Sequence, residues 1–264
     1  MSRIHPTAVI DPKAELADDV TVGAYSVIEG PVQIDSGCQI KPHVSICGRT
    51  RIGKNNRIFQ FASIGEEPQD KKYHGEDTAV VIGDGNTIRE CVTINRGTVD
   101  DAGVTRIGHD NWIMAYVHIA HDCQVGDHNI FANNASLAGH VQIGNHVILG
   151  GFSLLHQFTR VGDHAFTSMG SGVQRDVPPF VMAQGHPARP RGLNLEGLRR
   201  RGFDRERVSA IKKAYRLLYK SDLPLADALA AMRDLAATLP VEAASDVRLM
   251  VDFISQSKRS IVRG

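Results

Sequence analysis

The sequence predicts a parallel β-helix followed by an α-helical C-terminal domain, and three observations predict it. First, an aliphatic residue recurs at every sixth position from Ile4 to Ile64, through Leu16, Val22, Ile28, Ile40 and Ile52 among others. A helix repeats every 3.6 residues and a half-buried strand every 2, so neither gives this period. A chain that bends at fixed intervals and points one side chain per bend into a continuous core does give it, and this is the hexapeptide signature of a β-helix. Second, Gly108, Gly126, Gly144 and Gly162 are spaced by eighteen. That spacing means three hexapeptides per coil and a triangular cross-section. Third, the period of six stops at the Pro-rich stretch DVPPFVMAQGHPARPRG (176–192), and helical pattern follows.

The elements follow in order. After Ile64, residues 65–80 are polar and punctuated by Gly and Pro, the composition of an extruded loop. Ile82, Ile88 and Ile94 resume the original phase. A second interruption at 96–106 (RGTVDDAGVTR) shifts it by one, and Ile107 to Val161 carry it on, with a lapse at Thr167 and a last member at Val173. The glycines are followed by HDN, DHN, NHV and DHA. Gly, Asn and Asp tolerate left-handed backbone and mark the turns. Successive coils should stack at about 4.8 Å. Periodicity does not give handedness, and the usual crossover preference favours a right-handed coil. The solenoid is assigned to 1–190, with loops near 65–80 and 96–106, and the helical domain to 191–264. In that domain Asp204 is the expected N-cap of RERVSAIKKAYRLLYK, which puts Val208, Ile211, Tyr215, Leu218 and Tyr219 on one face. Leu225–Leu235 and Val247–Ile254 are two further expected helices.

Composition narrows the class. The chain has 264 residues, 42% hydrophobic and 22% charged, which is ordinary for a soluble protein. Its start, MSRIHPTAVIDP, lacks an apolar signal core, and no run reaches the roughly 18 apolar residues of a bilayer span. The expectation is a cytoplasmic protein with no integral membrane segment and no nucleic-acid partner. The four cysteines form no CxxC pair and are expected to be reduced and buried. Net charge is +1, but residues 186–220 hold 11 basic side chains against 3 acidic ones. Such a patch on a near-neutral chain suits an acidic partner, although a solvated helix face would read the same way.

Coil register sorts the twelve histidines. His128, His146 and His164 lie two residues past a turn glycine and form a corner ladder with a structural role. His118, His121, His140 and His156 fall together elsewhere, on three consecutive coils spanning about 10 Å, with Gly139 and Gln157. Three or four imidazoles there suit zinc ligation, acid–base work on a hydroxyl, or a polar interface between copies. Asp122 follows His121 and could orient its ring. Adjacent strand residues point to opposite faces, so that contact requires a bend or a partner chain. Gly139, in LAGH, could offer a backbone N–H to an oxyanion.

The segments QFASIGEEPQDKKYHGE, IRECVTINRGT, VHIAHDCQVG, NNASLAGHVQIG, LLHQF, DVPPFVMAQG and LNLEGLRRRGF, with the repeats and the helical tail, resemble the UDP-N-acetylglucosamine O-acyltransferase family of lipid A biosynthesis across essentially the whole chain. The resemblance implies a left-handed β-helix, against the crossover preference, and a homotrimer with active sites in clefts between prisms. It implies transfer of an (R)-3-hydroxyacyl group from acyl carrier protein to the 3-hydroxyl of UDP-N-acetylglucosamine, with no metal, no cofactor and no covalent intermediate. By the same resemblance His121 is the general base, Asp122 orients it, and the Gly139 N–H supports the oxyanion. His118, His140, His156 and Gln157 line the substrate. Asp70 and Lys72 contact the sugar nucleotide, and Asn194, Glu196, Arg200 and Arg201 contact its nucleotide side. Arg199, Arg205, Lys212 and Lys213, with Arg200 and Arg201, would dock the acidic carrier protein. Two positions depart from the family pattern. Asn95 stands where members often have His. Met169 stands at the acyl-chain ruler, where glycine admits long chains, so a donor near ten carbons is expected. The competing expectations are a trimeric zinc carbonic anhydrase and a sibling acyltransferase with an amine acceptor.

Overall fold

The computed structural model describes residues 4–263. It is a left-handed parallel β-helix with three faces, closed at its C-terminal end by helices. The first face runs from Val9–Ile10 to Gly172–Val173 as nine strands, the second from Glu15–Leu16 to Arg160–Val161 as eight, and the third from Thr21–Val22 to Arg189–Leu193 as ten. Pairing within each face is parallel and in register from coil to coil, for example Ile119 with Leu137 and Ile113 with Phe131. The final hairpin, Val181–Gln184 against Arg189–Leu193, is antiparallel. Core isoleucines from Ile28 to Ile113 are almost fully buried, one per face per coil. Ile4, the first of the series, is 38% exposed because it ends the stack. Thr167, the lapse in the pattern, is buried and satisfies its hydroxyl against Ser153 Oγ at 2.7 Å.

The corners work differently from the glycine reading. At the edge joining the second face to the third, the residue with left-handed backbone is not the glycine but the one two positions on: Asp110, His128, His146 and His164, with φ between +54° and +61°. The glycines are needed for close approach, since a Cβ on Gly126 would stand 2.7 Å from the Gly144 carbonyl oxygen of the next coil. Beside them runs a buried asparagine ladder, in which the Asn56, Asn86, Asn111 and Asn129 side-chain oxygens each accept a backbone N–H of the following coil. It satisfies turn amides that would otherwise be buried without partners.

Four helices complete the fold: α1 (Leu195–Arg200), α2 (Arg205–Tyr219), α3 (Leu225–Ala237) and α4 (Val241–Ser255). Asp204 caps α2 by accepting the Arg207 N–H. Helix α4 begins six residues before the expected Val247, with VEAASD forming its first turn and a half after Pro240. Helix α1 was not expected; its six residues are too few to show a 3.6 period, and the Asn194 side chain caps it. The helical core gathers Leu198, Ile211, Leu218, Met232, Val247 and Met250 around Phe180 of the solenoid end. Tyr215 and Tyr219 pack onto the solenoid core. Among the described residues, no helix is long and apolar enough to cross a membrane.

Candidate active site

The edge where the first face turns into the second carries the chemistry. Both extruded loops leave the prism here, residues 67–78 between Ser63–Glu66 and Ala79–Ile82, and residues 96–103 between Thr93–Asn95 and Val104–Ile107. The next three coils turn at the same edge through 120–123, 138–141 and 156–159. They bring His121, Asp122, Gly139, His140, His156 and Gln157 onto one edge.

His121 and Asp122 are adjacent in sequence yet in contact, because Asp122 takes left-handed backbone (φ +58°) and bends the chain back. The imidazole Nδ1 lies 2.9 Å from Asp122 Oδ2. Asp122 is buried, and its carboxylate also accepts the Thr98 N–H at 3.0 Å and the Thr98 hydroxyl at 2.7 Å. Burial raises its pKa, but the hydrogen bonds from His121 and Thr98 outweigh burial and bring it below the ordinary aspartate value. A carboxylate held charged beside Nδ1 favours the tautomer that keeps its proton on Nδ1, leaving the Nε2 lone pair free to take a proton.

His140 sits one coil above, also left-handed (φ +62°), with its ring edge-on to His121 at 5.0 Å and stacked on Phe158 at 4.4 Å. Its Nδ1 is 2.9 Å from Asp101 Oδ2, in the 96–103 loop, and 3.9 Å from Asp122. His121, Asp122 and His140 present ligand atoms within 4.8 Å of one another, the one grouping among the described residues suited to a metal ion. His118 lies on the first face with Nδ1 2.7 Å from Thr93 Oγ1, and burial, then the neighbouring His121, hold its pKa down. His156 is exposed, with Nδ1 3.2 Å from the Gln157 carbonyl.

Gly139 has a reason for being glycine beyond its turn. A Cβ there would stand 2.6 Å from His121 Cε1 and Nε2, so the ring rests directly on the Gly139 backbone. The N–H groups of Ala138 and His140 are paired between coils, whereas Gly139's makes no hydrogen bond among the described residues. Gly139→Ala should therefore push the His121 ring off its seat. The expected result is a fall in turnover of about tenfold to a hundredfold with an unchanged melting temperature, measured by steady-state kinetics and thermal unfolding.

The remaining predicted residues lie elsewhere. Asp70 and Lys72 are in the 67–78 loop, where Asp70 accepts the Lys72 N–H and Lys72 Nζ is 3.9 Å from Asp100 of the neighbouring loop. Asn95 is buried and donates to the Glu67 carbonyl at 2.6 Å, which anchors the root of that loop. Asn194, Glu196, Arg200 and Arg201 belong to α1 and its caps, beside His164 on a different edge of the prism, so one chain does not gather them with His121. Asn194 caps the helix, Glu196 holds Arg199 and Arg200, and Arg201 has a buried Nη1 without a partner. His128, His146 and His164 stack at 4.8 and 4.9 Å and run onto Phe180. Burial, then His146, pushes His164 down to about 3, which fits a structural role for that ring at the end of the ladder. Met169 is 78% exposed at the opposite corner of the first face, three coils along from His118. Thr98, Asp101 and Phe158 went unrecognised in the sequence, the first two because loop residues have no register to sort them.

Comparison with known proteins adds to this geometry. Residues 176–262 match the family model described as UDP N-acetylglucosamine O-acyltransferase, domain 2, and residues 105–139 match the bacterial transferase hexapeptide model. The chain is 56% identical over 263 residues to the acyl-acyl-carrier-protein–UDP-N-acetylglucosamine O-acyltransferase of Halorhodospira halophila, covering 100% of both chains. Its counterpart in Neisseria gonorrhoeae is also 56% identical over the full length of both. Among solved structures, UDP-N-acetylglucosamine O-acyltransferase from Moraxella catarrhalis superposes with a TM-score of 0.95 at 48% identity, over 99% of this chain and 100% of that one. The Francisella novicida enzyme gives 0.95 at 42%, over 99% and 94%.

Proposed function

From the premise that this chain belongs to the UDP-N-acetylglucosamine O-acyltransferase family, and is an acyltransferase, we propose that it transfers an (R)-3-hydroxyacyl group from acyl carrier protein to the 3-hydroxyl of UDP-N-acetylglucosamine, the first step of lipid A biosynthesis. The observation that carries the mechanism is the buried His121–Asp122 pair, whose Nδ1 contact leaves Nε2 as the base. His121 Nε2 takes the proton of the sugar hydroxyl as its oxygen attacks the thioester carbonyl. The tetrahedral oxyanion is met by the unpaired Gly139 N–H, and its collapse breaks the C–S bond and expels the carrier thiolate. The imidazolium then returns its proton to that thiolate, so no acyl-enzyme is needed. Asp122 stabilises the imidazolium between the two proton transfers.

Asp70, Lys72, His118, His140, His156 and Gln157 are proposed to hold the acceptor. Asn194, Glu196, Arg200 and Arg201 would serve a neighbouring chain's site in the proposed trimer, which their position on another edge supports. Arg199, Arg205 and Lys212, with Asp204 between them, rim a groove of about 410 Å³ floored by Leu195, Phe203 and Val208, an apolar trough with a mainly cationic border that suits an acidic carrier. Changing Arg199, Arg205, Lys212 and Lys213 to Glu should raise the KM for acyl carrier protein on the order of tenfold, more at low salt, with little change in kcat. Unchanged kinetics would remove this docking surface.

The reaction itself is tested by mass spectrometry of the product formed from UDP-N-acetylglucosamine and a mixed acyl carrier protein pool. The expected product is the sugar nucleotide carrying one hydroxyacyl ester. Recovery of unmodified sugar nucleotide would overturn the proposal, and amide-linked acylation of an amino-sugar nucleotide offered in its place would favour the amine-acceptor sibling.

A further inference from the structure

We propose that the His121–Asp122–His140 cluster, closed by Asp101 from the 96–103 loop, is also an inhibitory binding site for a divalent transition metal of the zinc class; the inhibition, though not the binding, rests on the proposed role of His121. The donor set is two imidazoles and two carboxylates, which is borderline-soft nitrogen with oxygen and suits Zn²⁺ better than Mg²⁺ or Ca²⁺. Three of the four groups already present donor atoms within 4.8 Å of one another, and the fourth, Asp101, is 2.9 Å from His140 Nδ1. Tetrahedral zinc with bonds near 2.1 Å needs donors about 3.4 Å apart, so the widest separation must close by about 1.4 Å while the two imidazole–carboxylate contacts, at 2.9 Å, open by about 0.5 Å. Asp122 is fixed by Thr98 and Thr105, so His140 is the group that must move toward it, and Asp101 on the exposed tip of the 96–103 loop can follow.

The same arrangement explains why occupation would stop catalysis. Both Nδ1 atoms face the carboxylates, so the metal would bind His121 through Nδ1. The ring's remaining proton then moves to Nε2, and the metal takes the place that the Nδ1 proton held against Asp122. With Nε2 protonated and Nδ1 coordinated, His121 has no lone pair left to accept the sugar hydroxyl's proton. The metal and the base therefore need opposite tautomers of one ring, and the inhibition requires no blockage of the cleft.

The test is a titration of the purified full-length protein with ZnCl₂, reading bound metal by calorimetry and acyl transfer in parallel, for wild type, Asp101→Ala and His140→Ala. One zinc per chain should bind wild type and abolish transfer, with full recovery on adding EDTA. Asp101→Ala should need at least tenfold more zinc to lose half of its own untreated rate, and His140→Ala should lose the calorimetric site. Absence of binding, or equal binding by all three proteins, would overturn the proposal. Calorimetry needs no turnover, so failure of the metal site is distinguishable from failure of the acyltransferase reading. Dependence of the untreated rate on added zinc would contradict both.

Discussion

His121→Ala is expected to lower acyl transfer by a factor of about 10² to 10⁴ while the protein remains folded, the range associated with loss of a positioned general base. The ring is almost fully buried, but it sits at the rim of a corner rather than in the isoleucine core, and its hydrogen bond runs to Asp122. Asp122 keeps three other hydrogen bonds from the Thr98 amide and hydroxyl, so the carboxylate is not orphaned by the substitution. The coil stack, paired through backbone on both sides, is untouched. Steady-state rates measured with far-UV circular dichroism and thermal unfolding check both halves of the expectation. Turnover within tenfold of wild type would refute the assignment of His121 as base.

Met169→Gly carries the second large effect, on donor choice rather than on rate. The outward row of the first face runs from His118 through Ser136 and Leu154 to Gly172, three coil steps or about 14 Å, and Met169 stands exposed at the corner beside its far end. An acyl chain lying along this row from a thioester near His121 meets the methionine side chain there. We expect wild type to prefer a donor near ten carbons and Met169→Gly to accept fourteen. Four additional methylenes, at about 0.8 kcal/mol each when buried, amount to about 3 kcal/mol, so the preference should move on the order of a hundredfold. Competition between carrier proteins bearing ten- and fourteen-carbon hydroxyacyl chains measures this directly. An unaltered product ratio, or a wild type already indifferent to length, would reject Met169 as the ruler.

The scaffold was legible because its cause is local and repeated. Each coil buries one aliphatic side chain per face, so the period of six and the coil of eighteen are written in residue spacing, and even the phase slip before Ile107 is a loop seen from the core. The same register groups His121, Gly139 and His140 from residue spacing alone. It misassigned the turn mechanics, because composition alone does not tell a glycine chosen for close approach from one chosen for left-handed backbone; Gly126 is the first kind, and the left-handed position belongs to His128. Helix α1 was missed because six residues carry no period.

By itself, then, the sequence determined the three-sided prism, the two points where the chain leaves it, and the edge on which the histidines collect. Only the tertiary structure decided what those histidines touch. The bend at Asp122 turns a sequence neighbour into a hydrogen-bond partner, the 96–103 loop delivers Thr98 to Asp122 and Asp101 to His140, and α1 lies against a different edge from His121. The physical reason is that core packing repeats with the chain and leaves a period. Loop closure and corner backbone depend on contacts between residues far apart in sequence, and these leave none.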